Sequence, residues 1–187
     1  MLTQELLLDI VERTLHGSRS EWMFLRELKL GTGRRNGSIQ RLDGFALNCL
    51  PHTAMKRVCY EVKCSRADFL AELKHPLKRR IGMRYSNEFF FVMPADLVKV
   101  TEIPVECGLI EAGVAEPEEW RTLMKRHAGF FEYDCETRTY CMLTVPAPWR
   151  ETPGPTWQLV AAMLRNQRRM LEEAPAQPPA QERFTFR

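Results

Sequence analysis

A chain of 187 residues, 44% hydrophobic and 27% charged, can bury one sizeable core and has the balance of a globular domain. It has no apolar run of about 18 residues, and Met1-Leu2-Thr3-Gln4-Glu5 lacks the basic and apolar regions of a signal peptide. These features exclude a membrane-spanning helix or secretory leader and predict a soluble, cytoplasmic protein. The net charge of +3 hides an asymmetry: residues 1–100 carry 17 Lys/Arg against 11 Asp/Glu, and residues 101–187 carry 10 against 13. The basic half suits a polyanionic partner, since phosphate neutralisation supplies much of nucleic-acid affinity.

Residues 3–16 place Leu6, Leu7, Ile10, Val11 and Leu15 at helical spacing, with Thr3 at the cap and Gly17 as a stop. Trp22 to Leu30 alternates as a strand and ends at Gly31-Thr32-Gly33. The basic loop Arg34 to Ser38 leads to a second strand, Ile39 to Asn48. A turn at Pro51-His52-Thr53 precedes a third, Val58 to Cys64. Three strands with short links predict an antiparallel meander.

Ser65 with Asp68 three residues on has the form of a capping box and starts a helix directly after the third strand. Phe69, Leu70, Leu73, Leu77 and Ile81 form its apolar stripe, and Pro76 kinks or restarts it. Outside the stripe lie Arg66, Lys74, Lys78, Arg79, Arg80 and Arg84, which serve either as a solvated face or as phosphate contacts.

Residues 87–93 are a nearly continuous apolar run, as in a strand covered on both faces, and Cys107 to Ala112 forms another strand. Beyond Gly113 the pattern predicts a helix over 117–127, a hairpin over 130–145 turning at 134–137, and an amphipathic helix over 156–173. Trp157, Val160, Leu164 and Leu171 of that last helix are expected to face inward. Residues 1–113 are thus the core, 114–173 an extension packed on it, and 174–187 a tail without core-forming content. The six cysteines lack Cys-x-x-Cys spacing and read as reduced, mostly buried thiols, with an iron–sulfur cluster as a distant alternative. The four histidines show no metal-ligand spacing and read as surface or capping groups.

The chemistry concentrates between positions 41 and 63. Arg41-Leu42-Asp43 and Glu61-Val62-Lys63 sit on two strand-like segments with seventeen residues between the two carboxylates. Hard divalent cations take carboxylate and water oxygens, so Asp43 and Glu61 are candidate ligands. Alternation along a strand puts Lys63 on the same side as Glu61, beside the metal and an attacking water. Chance alone gives about one acid-x-Lys triplet in a chain of this composition. This chain has three, of which only Glu61-Val62-Lys63 combines a strand setting with an upstream carboxylate strand. The plain alternative is a surface strand with a solvated Glu–Lys pair.

The ordered blocks Arg26-Glu27-Leu28, Arg41-Leu42-Asp43, Tyr60-Glu61-Val62-Lys63-Cys64-Ser65, Asp68-Phe69-Leu70-Ala71-Glu72-Leu73-Lys74, Phe89-Phe90-Phe91 and Ile103 to Ile110 resemble the PD-(D/E)XK, restriction-endonuclease-like nuclease superfamily. Within it they look like the MmcB-type DNA-repair nucleases. The resemblance implies an α/β fold: an αβββαβ core with a mixed central sheet flanked by helices, plus a C-terminal hairpin and helix. It implies Mg²⁺, with Mn²⁺ as a substitute, on Asp43, Glu61 and the Val62 carbonyl, and Lys63 positioning the water. Glu27 looks like the additional acidic group, with Glu5 or Glu12 of the first helix as competitors. Lys74 matches a family lysine in substrate or structural contact, and Arg41 joins the helix cations as a nucleic-acid contact. Glu72 stands where the family pattern has Asp. The function implied is metal-dependent cleavage of DNA, endo or exo, in repair, recombination or mobile-element processing. The competing readings are a non-cleaving nucleic-acid-binding protein on the same fold, and an assembly subunit pairing as a homodimer or with a protein partner through the C-terminal helix.

Overall fold

The computed structural model describes residues 2–30, 40–126 and 130–173; the basic loop at 31–39 and the tail at 174–187 lie outside the described residues. The chain is an α/β protein built on one seven-stranded mixed sheet in the order β1-β2-β3-β4-β5-β7-β6. Helix α1 (Gln4–His16) is capped by the Thr3 hydroxyl, which accepts the Leu6 amide. Strands β1 (Trp22–Leu30), β2 (Gln40–Asn48) and β3 (Arg57–Val62) form the expected antiparallel meander.

Ser65 caps α2 (Arg66–Leu73) by accepting the Asp68 amide, and Pro76 starts a separate helix, α3 (Pro76–Tyr85), instead of bending the first. That pair returns the chain to β4 (Glu88–Met93), parallel to β3, and β5 (Gly108–Val114) lies parallel to β4. Both faces of the central strands are covered, which is why residues 89–93 are apolar without alternation.

After α4 (Pro117–Arg126), the predicted hairpin forms as β6 (Phe131–Asp134) and β7 (Thr139–Val145). It does not pack on the core as a separate unit: β7 pairs with β5 and extends the same sheet. Helix α5 (Trp157–Glu173) then crosses back to β1.

Two hydrophobic layers sandwich the sheet. On one side Leu7, Leu8, Ile10 and Val11 of α1 meet Phe24, Ala46, Val58, Tyr60 and Val92. Gly44 permits this contact, because a Cβ there would lie 3.0 Å from Leu8 Cδ2 and 3.2 Å from the Phe24 ring. On the other side Phe69 of α2 and Leu159 and Ala162 of α5 cover Leu25, Phe45, Phe89 and Phe91.

The sequence-based stripes need correction in two places. On α2 and α3, Leu70 and Leu77 are exposed, and Glu72 and Arg79 are buried instead. On α5, Trp157, Leu164 and Leu171 are exposed, while Leu159, Ala162 and Asn166 are buried against the sheet. Cys59, Cys107 and Cys141 are buried, and no described cysteine is in a disulfide. His16 is not a surface group: it is buried, and its Nε2 lies 2.7 Å from the Tyr60 hydroxyl.

Candidate active site

The site forms where β2 and β3 part. Their ladder runs from Leu47 and Arg57 to Gly44 and Tyr60 and stops there. Two residues on, the Val62 amide donates to Asp43 Oδ2 at 3.0 Å instead of to a strand carbonyl, while the Lys63 amide still donates to Val92 on β4. Strand β3 therefore leaves β2 but stays with β4, and a wedge opens between the two strands at Asp43 and Glu61.

A second irregularity widens the corner. Arg26 pairs with Gly44 and Leu28 with Leu42, but Glu27 between them adopts φ 51°. Before it Met23 and Leu25 face the α5 side; after it Leu28 and Leu30 do, a shift of one residue in the alternation. A left-handed conformation at a non-glycine residue persists only where the surroundings hold it. Asn166 Nδ2 of α5 supplies part of that hold by donating to the Arg26 carbonyl at 2.8 Å, and Arg26 is clamped from the other side by Asp9 and Glu12 of α1.

The wedge is a cavity of about 400 Å³ lined by Gln4, Arg41, Asp43, Glu61 to Lys63, Asp68, Glu72 and Arg79. Lys63 Nζ sits 2.8 Å from Glu61 Oε1, 3.4 Å from Glu72 Oε2 and 4.0 Å from Asp68 Oδ2. Asp43 is 7% exposed, Lys63 6% and Glu72 5%. Three carboxylates thus lie within 4.0 Å of one ammonium, with Asp43 in the same cavity and Arg41 at the rim.

Burial disfavours the charged carboxylates. It raises Asp43 above its ordinary value, against the Val62 amide and the Lys63 charge. Burial and the neighbouring Asp43 charge push Glu61 up to about 7. Burial also works against the Lys63 ammonium, but Glu61, Glu72 and Asp68 more than offset it, so Lys63 is raised and stays protonated.

Asp43, Glu61, Val62 and Lys63 therefore come together, with Arg41 beside them. Glu27 does not line the cavity: it pairs with Arg41 of the rim at 3.2 Å. Of its competitors, Glu12 is held by Arg26 and Glu5 is exposed on α1. The first helix contributes Gln4 instead, which lines the cavity with Asp43 and helps hold its carboxyl down.

The helix cations divide. Lys74, Arg80 and Arg84 are exposed. Arg66 is bound by both oxygens of Glu102, at 2.6 and 2.7 Å. Arg79 is 6% exposed and donates to the Glu72 carbonyl, so it is a structural strut and not a surface phosphate contact. The Lys78 side chain lies outside the described residues. Glu72 was the group whose place in the cavity the helix stripe missed. The signal was its position three residues after Phe69, which puts both on the buried face of α2.

The donor set suits a hard divalent cation. Asp43, disfavoured as a charge by burial, and Glu61, disfavoured by burial and by Asp43, would both be relieved by one. Among the described residues no group of three or more His, Cys, Asp or Glu side chains is arranged to hold a metal. Asp43, Glu61 and the Val62 carbonyl would supply a partial shell, leaving the remainder to water and substrate oxygens.

No family model matches the chain, and no curated protein matches it. Among solved structures it is similar to a protein of unknown function from Silicibacter pomeroyi, at 18% sequence identity and a TM-score of 0.58, over 92% of this chain and 90% of that one. The likeness is one of fold. Among the described residues no helix is long and apolar enough to cross a membrane.

Proposed function

We propose that this protein is a cytoplasmic Mg²⁺-dependent phosphodiester hydrolase acting on DNA, in repair, recombination or mobile-element processing. The observation that carries the reading is the convergence of the buried Asp43, the partly buried Glu61 and the buried Lys63 ammonium where β2 and β3 part. A binding module for an anionic backbone has no use for such an excess of carboxylates, whereas a phosphodiesterase needs it to hold a cation.

Asp43 and Glu61, with the Val62 carbonyl, would hold Mg²⁺, with Mn²⁺ as a substitute. A cation held there would supply Lewis-acid polarisation of the phosphate and of water. Lys63 remains an ammonium and can only donate hydrogen bonds, so its part is to orient the water oxygen and balance developing negative charge. Glu72 and Glu61 fix its Nζ between them. The Val62 amide orients Asp43. Arg41 at the rim and the exposed Lys74, Arg80 and Arg84 would meet flanking phosphates.

The test is incubation of labelled single-stranded, duplex and branched DNA with and without Mg²⁺, comparing the wild type with Asp43→Ala and Lys63→Ala. Cation-dependent cleavage lost in both variants is expected. Cleavage unaffected by either overturns the site. Binding with no cleavage of any substrate favours the non-cleaving alternative.

A further inference from the structure

Helix α5 carries two apolar stripes, and the sheet uses one. Leu159, Ala162, Met163 and Met170 pack into the core. The other stripe, the apolar Trp157, Val160, Leu164 and Leu171 with the polar Gln167 between the last two, advances by three and four residues alternately, the rhythm of a helix-to-helix seam. Its three largest members stand in solvent, Trp157 at 87% exposure, Leu164 at 62% and Leu171 at 70%. A groove of about 240 Å³ runs alongside, walled by Met23, Leu47, Met55, Val160 and Leu164. Val160 and Leu164 belong to both, so seam and groove form one continuous apolar surface.

We propose that this surface joins two copies of the chain, α5 lying antiparallel against α5 of a second copy about a twofold axis at Leu164. The three-four spacing calls for a helix as occupant. Residues 174–187 cannot supply one of matching length, because Pro175, Pro178 and Pro179 interrupt it. A twofold axis lets a single stripe satisfy its own image. In the antiparallel arrangement Trp157 meets Leu171 of the second copy at each end and Leu164 meets Leu164 between them. The parallel arrangement would instead set Trp157 on Trp157 and bring the exposed Arg168 of each copy together. Trp157 contributes on the order of 200 Å². The leucines and the groove bring each copy's share to roughly 500–700 Å², under the ~800 Å² of a standard interface. A patch of that size suits a reversible pairing.

Sedimentation of the full chain from about 5 to 200 µM tests this, and a shift from monomer to dimer across that range is expected. Leu164→Glu and Trp157→Glu should weaken association at least about tenfold while leaving thermal unfolding of the dilute protein unchanged. Val105→Glu, at a 93% exposed residue outside the seam, should leave it intact. Orientation is read by oxidative crosslinking in a background with Cys49 and Cys135 changed to Ser. Leu164→Cys should crosslink and Trp157→Cys should not. A wild type that stays monomeric throughout, or a dimer indifferent to both glutamates, overturns the interface. Crosslinking through position 157 overturns the antiparallel pairing.

Discussion

Tyr60 and Glu61 are consecutive residues of β3, and their side chains enter opposite layers of the protein. On the α1 side, Tyr60 meets His16 at 2.7 Å with Trp22 and Phe24 rings around the pair. Burial keeps that histidine neutral, down to about 3, so both groups are accommodated as neutral hydrogen-bonding partners. On the other side, Glu61 is packed with Asp43, Glu72 and Asp68 around one lysine. The same strand thus shows two treatments of buried polarity. One is discharged and structural; the other crowds carboxylates around an ammonium, the arrangement on which the proposed function rests.

Substitutions on the two sides should therefore fail differently. Lys63→Ala or Asp43→Ala should lower DNA cleavage by about 10³-fold or more with folding intact. Tyr60→Phe should leave cleavage in place and lower stability by about 1–3 kcal/mol, by stripping His16 of its partner. Loss of both properties from either side would erase the distinction.

The pH dependence separates the faces with opposite signs. His16 binds its proton less readily folded than unfolded, so stability falls as pH drops from 6.5 towards 3. The loss attributable to this group is roughly 3–5 kcal/mol, and denaturant unfolding of His16→Phe should show a correspondingly shallower acid limb. Glu61 is the reverse: the unfolded chain gives up its proton near 4.5 and the folded one near 7, so stability falls as pH rises through that window. Glu61→Gln should accordingly be more stable than wild type by about 1–3 kcal/mol at pH 8 in chelator and equal to it at pH 4. A Glu61→Gln variant less stable at pH 8 would mean that Lys63 relies on that carboxylate more than the carboxylate suffers from burial.

The smallest effect concerns the residue the family pattern would have added. Glu27→Gly should raise stability by about 0.5–1 kcal/mol, since glycine adopts φ 51° freely and the exposed pair with Arg41 contributes little. Cleavage should persist. Its loss would restore Glu27 to the chemistry.

What the sequence made legible was what depends on local rules. The Ser65 cap, the break at Pro76 and the double-sided apolar run before Met93 each follow from a few neighbouring residues. Asp43 and Glu61 were legible as strand residues, but their meeting depends on the ladder stopping at Gly44 and Tyr60, which no periodicity announces. On α5 the periodicity was present twice. The sheet took the stripe bearing Asn166, because that side chain reaches the Arg26 carbonyl at the irregular point of β1, a need visible only once the strand is built. His16 was missed for a similar reason: nothing near it in sequence foretells the Tyr60 hydroxyl 44 residues on.

The hydrogen bond from Asn166 to Arg26 spans 140 residues of chain. In the order of synthesis, β1 is made well before the helix that steadies its irregular point, with 140 residues between the two bonded groups. The corner beside Asp43 is thus completed only once α5 has been made. A chain truncated before α5 would carry every residue of the wedge and lack the brace behind it, so the shape of the cavity is tied to a distant helix.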